Sequence, residues 1–261
     1  MNKVRDGISE SGIVSDVENF FVHPGYNPGF VTSPYDIALL YLKTPMTWNK
    51  YIRPACLPSQ CDSSYSSKSK SVDGCERGWV AGWGKIKKTP QDQLPNVTME
   101  IAQELKPLKF CEDYWKTIEF SSTSQMCSIN MEIKGGACQG DSGGPFNCQA
   151  INGKNFIAGV VSWGHGTCND NEELETAPTI FTRICNVLPW IKKTMIEYEQ
   201  NKTNEEKKIK LQNINPLKNL IDNRQTPLLY SVENVVEILQ DTFLVDFHLF
   251  FQSFYCKSSP F

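Results

Sequence analysis

The sequence predicts an all-β protein, an antiparallel sandwich or barrel, followed by a C-terminal helix. Three observations carry this. Short apolar or β-branched runs recur through residues 8–185. Turn-rich segments full of Gly, Pro, Asn and Ser separate them. Helical periodicity first appears near residue 187. Many short strands joined by turns fit a sandwich or barrel better than a layered α/β fold.

Taken in order, "HPGYNPG" (23–29) reads as a turn segment, and "DIALLYL" (36–42) as a strand buried on both faces. The serine-rich stretch around 62–71 is a linker or a long surface loop. "GWVAGWG" (78–84) and "FIAGVVSWG" (156–164) are β-rich runs closed by glycine, and "TIFTRI" (179–184) alternates. Val187, Ile191 and Met195, with Trp190 and Tyr198, recur at helical intervals, so 187–198 is an amphipathic helix. The charged 199–210 stretch reads as a linker or an exposed helix. Residues 231–255 form a second helical candidate, rich in Phe. Glu237, Asp241 and Asp246 interrupt it, which argues for an amphipathic helix and against a transmembrane segment.

The chain has 26 basic and 29 acidic residues, a net charge of −3, which gives no reason to expect nucleic acid or an anionic membrane as partner. None of its ten cysteines forms a CxxC pair, so disulfides in an oxidising compartment are expected rather than a metal site. The sequons at Asn96 and Asn201 agree with an extracellular location. Residues 1–12 lack the apolar core of a signal peptide.

The chemistry concentrates in "GGACQGDSGGPF", residues 135–146. Glycines around Ser142 let the backbone approach a substrate carbonyl and take φ values barred to other residues. Ser142 is the candidate nucleophile. The N–H groups of Gly140 and Ser142 are candidate oxyanion-hole donors.

Seven segments in one order, "HPGYN", "DIALLYL", "IRPACLP", "VAGWGK", "ACQGDSGGP", "VVSWG" and "TIFTRICNVLPWI", carry a resemblance to the chymotrypsin/trypsin-like serine proteases over roughly residues 8–198. The resemblance implies a double antiparallel β-barrel and a C-terminal helix. Residues 1–62 would be the remnant of an incomplete first barrel, 63–198 the second barrel plus helix, and 199–261 a charged linker and amphipathic tail. It implies proteolysis through an acyl-enzyme, with Asp36 as the acid that orients a histidine. Asp141 would pair with the amino terminus released on zymogen cleavage. Ser162, Trp163 and Gly164 would pair with the substrate backbone by strand addition. Gly136 would sit at the specificity-pocket floor, where trypsin-like members carry an acid, with Gly164 and Thr179 on its walls. A small or medium uncharged side chain is the expected preference, although Glu172, Glu173 and Glu175 leave a basic one open. No metal or organic cofactor is implied. The partners would be a polypeptide substrate or protein inhibitor, and the complete protein a secreted monomer.

By the same resemblance Cys61 pairs with Cys185, Cys75 with Cys148, Cys111 with Cys127 and Cys138 with Cys168, leaving Cys56 and Cys256 over. One element of the family is missing. The histidine base should precede Asp36 in an "AAHC" turn, and residues 1–35 contain none. His23, His165 and His248 fall elsewhere in the pattern. The expectation is a chain that begins at an internal methionine and lacks the base as written. The alternative is a non-catalytic homologue that uses the fold for binding.

Overall fold

A computed structural model describes residues 13–30, 32–59, 61, 73–86, 94–116, 118, 120–121, 123–130, 132, 135–150, 153–164 and 177–222, with backbone alone for 210–222. The described chain divides into two compact units, one ending at Pro189 and the other beginning at Trp190.

Among the described residues the first unit holds two sheets. β1 (Val17–Val22) and β2 (Ala38–Leu42) pair antiparallel as a two-stranded ribbon. The other sheet is a closed antiparallel barrel in the order β3 (Arg77–Gly82), β4 (Met99–Lys106), β5 (Gln125–Ile129), β8 (Thr179–Arg183), β7 (Asn155–Gly164), β6 (Pro145–Gln149). A short helix, α1 (Leu108–Tyr114), follows β4.

Every residue of β5 and of β8 is buried, so the alternation expected for "TIFTRI" gives way to burial on both faces. The barrel core gathers Val80, Leu105, Met126, Phe146, Phe156 and Phe181. Phe146 and Phe181 meet edge-on, with ring centroids 4.9 Å apart, the arrangement their ring quadrupoles favour. Gly159 lets the two sides close tightly at this point: a Cβ there would lie 3.0 Å from Met126 Sδ and Phe181 Cβ.

Cross-links bind chain-distant parts of the barrel. Disulfides join Cys61 to Cys185, Cys75 to Cys148 and Cys111 to Cys127. Cys138 is also disulfide-bonded, and Cys168 lies outside the described residues. Cys56, which the family pattern leaves over, is disulfide-bonded as well. Arg183, at the end of β8, makes a forked ion pair with Asp73, both side chains almost fully buried. Removing one partner of such a pair generally costs about 3–5 kcal/mol, because the other charge is left buried and alone.

The ribbon departs from the sequence reading. "DIALLYL" is expected to be buried on both faces, yet Leu40 is 62% exposed, as is its cross-strand neighbour Phe20 at 63%. No third strand joins this ribbon among the described residues, so its apolar side chains meet water.

The helix α2 (Ile184–Asp222) begins at the end of β8 and buries Val187 and Leu188 in the first unit. It is far longer than the 187–198 segment that periodicity marks out. The charged 199–210 stretch continues it as a helix, its side chains through 209 exposed except for the half-buried Glu199 and Lys202. Among the described residues no helix is long and apolar enough to cross a membrane. The candidate at 231–255 lies outside the described residues.

The loop between β1 and β2 carries His23, Tyr35 and Asp36. His23 stacks flat on Tyr35, ring centroids 4.5 Å apart. Its Nδ1 accepts the Gly25 N–H at 3.0 Å. Tyr35 has φ 57°, a left-handed conformation that costs a bulky residue about 1–3 kcal/mol. The stack leaves no space beside it: a Cβ on Gly25 would lie 2.7 Å from the Tyr35 ring.

Burial lowers the His23 pKa below its ordinary 6.5. The unfolded chain therefore takes up the proton first, and the contribution of His23 to stability is present above pH 6.5 and lost as pH falls below it. Urea denaturation followed between about pH 7.5 and 5.5 should show midpoints that decline toward acid, and a shallower decline in His23→Gln. An identical decline in both proteins would remove His23 as its source.

Candidate active site

Asp36 directly follows the left-handed Tyr35. Its carboxylate is met by a side chain that a sheet irregularity sets free. In the β7–β8 ladder Val161 faces Phe181 and Trp163 faces Ile180, so Ser162 is an extra, bulged residue. Bulges re-aim side chains out of the strand's alternation. The Ser162 hydroxyl donates to Asp36 Oδ2 at 2.7 Å. On β8 the Thr182 hydroxyl donates to the Asp36 carbonyl at 2.8 Å. Asp36 is thus fixed to the barrel from two neighbouring strands.

Ser142 sits between two tight turns. Asp141 N–H closes one onto the Cys138 carbonyl, and Gly144 N–H closes the next onto the Asp141 carbonyl, each at 2.9 Å. Gly140 at φ 99° and Gly143 at φ 81° take the positive values these turns need. The turn is sewn to β7: Gly143 N–H donates to the Val161 carbonyl, and Val161 N–H to that of Gly144, both at 2.9 Å. Val161 precedes Ser162. Two short links therefore connect the Ser142 turn to the carboxylate of Asp36. Ser142 is exposed, and among the described residues neither its N–H nor that of Gly140 has an acceptor.

Asp141 turns its carboxylate the other way. Oδ1 accepts the Gly84 N–H at 2.8 Å and Oδ2 the Cys138 N–H at 2.9 Å. Gly82 and Gly84 pack so closely on this carboxylate that a side chain at either would displace it. Beside it opens a cavity of about 230 Å³, lined by Val80, Gly82, Glu100, Ile101 and Gly136 among others.

The three residues expected around the specificity pocket converge. Thr179 pairs with Gly164 across the β7–β8 ladder. Its hydroxyl lies 3.0 Å from where a Cβ on Gly136 would stand. Trp163 stacks on Phe120 and tilts against Trp115, with centroids 5.5 and 4.9 Å apart. Among the described residues its buried Nε1–H has no acceptor. Glu172, Glu173, Glu175, His165 and His248 lie outside the described residues.

Some residues at the site are absent from the sequence reading. Gly84 holds Asp141, and Gln103, which accepts from the Ser128 hydroxyl, donates to the Gly135 carbonyl. One signal for Gln103 was available: it shares the inward parity of Ile101 and Leu105 on β4, where a polar residue needs a reason. No comparable signal marks Ser128. Cys61, Asp73 and Cys185 cluster with metal-like spacing. The two sulfurs are bonded to each other and Asp73 is engaged by Arg183, so no thiolate is on offer there.

The Ser162–Asp36 bond has a charged acceptor, which makes it worth about 1.5–3 kcal/mol. A double-mutant cycle of Ser162→Ala and Asp36→Asn, read by urea denaturation, should give a coupling energy near this range. Additive effects of the two substitutions would show that the contact carries no energy.

Comparison with known proteins gives one answer. The family model described as Trypsin matches residues 5–191. Transmembrane protease serine 9 of Rattus norvegicus is 32% identical over 193 residues, covering 72% of this chain and 16% of the relative. Transmembrane protease serine 7 of Homo sapiens is 35% identical, covering 69% of this chain and 20% of the relative. Testisin of Homo sapiens is 33% identical, covering 69% of this chain and 53% of the relative. The chain thus spans between a sixth and about half of the length of these relatives. With the closed barrel and the match from 5 to 191, the chain belongs to the trypsin-like serine protease family.

Proposed function

We propose that the chain is part of an extracellular serine endopeptidase that cleaves polypeptides through an acyl-enzyme. One observation carries this reading: the Ser142 turn and the Asp36 carboxylate, far apart in sequence, meet through Val161 and Ser162 of one strand. Ser142 is the nucleophile, and Asp36 the acid that orients a histidine and stabilises its cation. The unused N–H groups of Gly140 and Ser142 receive the oxyanion. The cavity beside Asp141 receives the amino terminus that activation cleavage releases. Ser162, Trp163 and Gly164 hold the substrate backbone, and Gly136, Gly164 and Thr179 shape the pocket for the side chain before the scissile bond. Residues 1–62 supply part of a first barrel and 63–198 the second.

The base is the open position. His23 stacks on Tyr35 and commits Nδ1 to Gly25, which suits a structural role. No "AAHC"-like turn precedes Asp36 in these 261 residues. The same observation favours a second reading, in which the chain is a non-catalytic homologue that binds polypeptides in its cleft.

The 261-residue chain should not hydrolyse a panel of peptide esters and amides at enzyme-like rates, because loss of a triad member costs several orders of magnitude. Its residual rate should lie within about tenfold of that of Ser142→Ala. Robust turnover abolished by Ser142→Ala would mean that the chain contains its own base.

A further inference from the structure

Two sequons occur in the chain, Asn96-Val97-Thr98 and Asn201-Lys202-Thr203, and neither has a proline in its middle or directly after it. The protease reading uses neither, and the fold treats them differently. Asn96 and Val97 form a bend one residue before β4, and Asn96 is exposed. Among the described residues neither the Asn96 side-chain amide nor the Thr98 hydroxyl has a hydrogen-bond partner. Leu94, Val97 and Met99 around it are 51%, 44% and 45% exposed.

Asn201 stands well inside α2. Helical residues two apart point to different faces, so Asn201 and Thr203 are not presented together. The Thr203 hydroxyl is also engaged: it donates to the Glu199 carbonyl at 2.8 Å, one turn back. An Asn-x-Thr acceptor is read in a surface loop, where amide and hydroxyl are offered side by side. Timing sharpens the contrast, because the sugar is attached to the emerging chain. A local helix relaxes within about a microsecond, whereas synthesis adds only about 5–20 residues per second. The helical preference of α2 is therefore in force when its sequon is met.

We propose that Asn96 is a modification site that carries an N-linked oligosaccharide, that Asn201 stays bare, and that the sugar covers the apolar side chains of Leu94, Val97 and Met99. The donor is an oligosaccharide held on a polyprenyl diphosphate. Nδ2 of Asn96 attacks the anomeric carbon. The new C–N bond forms as the C–O bond to the diphosphate breaks, the polyprenyl diphosphate leaves with that electron pair, and Nδ2 gives up one proton. No oxidant or reductant takes part. The apolar faces of the sugar rings cover side chains that otherwise meet water, and the sugar hydroxyls stay solvated. The proposal rests on the extracellular part of the reading above and on none of its catalytic residues.

The test is expression of the 261-residue chain behind a cleavable secretion leader in human cells. Protein from cells and medium is treated in heavy-oxygen water with the amidase that releases N-linked sugars. An occupied asparagine becomes an isotopically labelled aspartate, and both sequon peptides are read by mass spectrometry. Label at Asn96 should exceed label at Asn201 by at least about tenfold. Thr98→Ala keeps Asn96 and removes the hydroxyl, and should abolish the label; Thr98→Ser should retain it. Chain retained in the cell is scored with secreted chain, so a variant that folds poorly still reports. Peroxide oxidation of Met99, with Met46 as internal standard, should be at least about threefold slower in glycosylated than in amidase-treated protein. A bare Asn96, an Asn201 labelled as fully as Asn96, or label that survives Thr98→Ala would overturn the site. Equal oxidation of Met99 with and without the sugar would overturn its covering role. The leader imposes the secretory route, so each of these failures speaks against the proposal and not against the extracellular reading.

Discussion

The hydroxyl of Ser162 reaches Asp36 because Ser162 is the extra residue of a bulge in β7. Its position depends on the closed barrel, since the bulge exists only relative to the β8 partner. On one side the preceding residue, Val161, clamps the Ser142 turn with a pair of backbone hydrogen bonds. On the other side Asp36 stands on a strained Tyr35 whose ring is held by His23. Relaxing the bulge would return Ser162 to the strand's alternation, and the ribbon and the barrel would lose their charged contact at the site.

The disulfides and the buried ion pair serve this geometry indirectly. Cys75–Cys148 sits within the core that fixes β6, and Arg183–Asp73 secures the end of β8. Both strands flank β7. Asp141 adds a second anchor behind Ser142, with Gly82 and Gly84 reserved for its carboxylate. The site is therefore a set of backbone turns held from beneath by buried charges and sulfur bridges.

Much of the fold was legible because it is written in local pattern. The runs at 78–84, 156–164 and 179–184 are strands in the barrel, and the helical period at 187–198 marks the start of α2. The end of α2 was not legible, because a charged stretch reads equally as exposed helix or linker. "DIALLYL" misled for a different reason. Its apolar run encodes a buried strand, and burial depends on layers that the ribbon lacks among the described residues. At the site, Asp36, Ser142, Asp141, Gly136, Ser162 and Thr179 carried signals of residue type and order. The bulge at Ser162 and the buried bonds of Gln103 are tertiary facts. A bulge has no signature in a strand read alone, and a buried glutamine is recognised only once its neighbours are known.

The central claim of the proposed function is that Ser142 and the N–H groups of Gly140 and Ser142 stand in this chain as a nucleophile with oxyanion donors, held by the tie from Val161 and Ser162 to Asp36. A fluorophosphonate forms a covalent bond to a serine beside oxyanion donors. Labelling of the 261-residue chain, located by mass spectrometry, tests the assembly directly. The account predicts slow, stoichiometric modification at Ser142, slowed further by at least about tenfold in Ser162→Ala and Asp36→Asn. Modification spread over several serines, or labelling at Ser142 no faster than at an exposed serine such as Ser15, would contradict it.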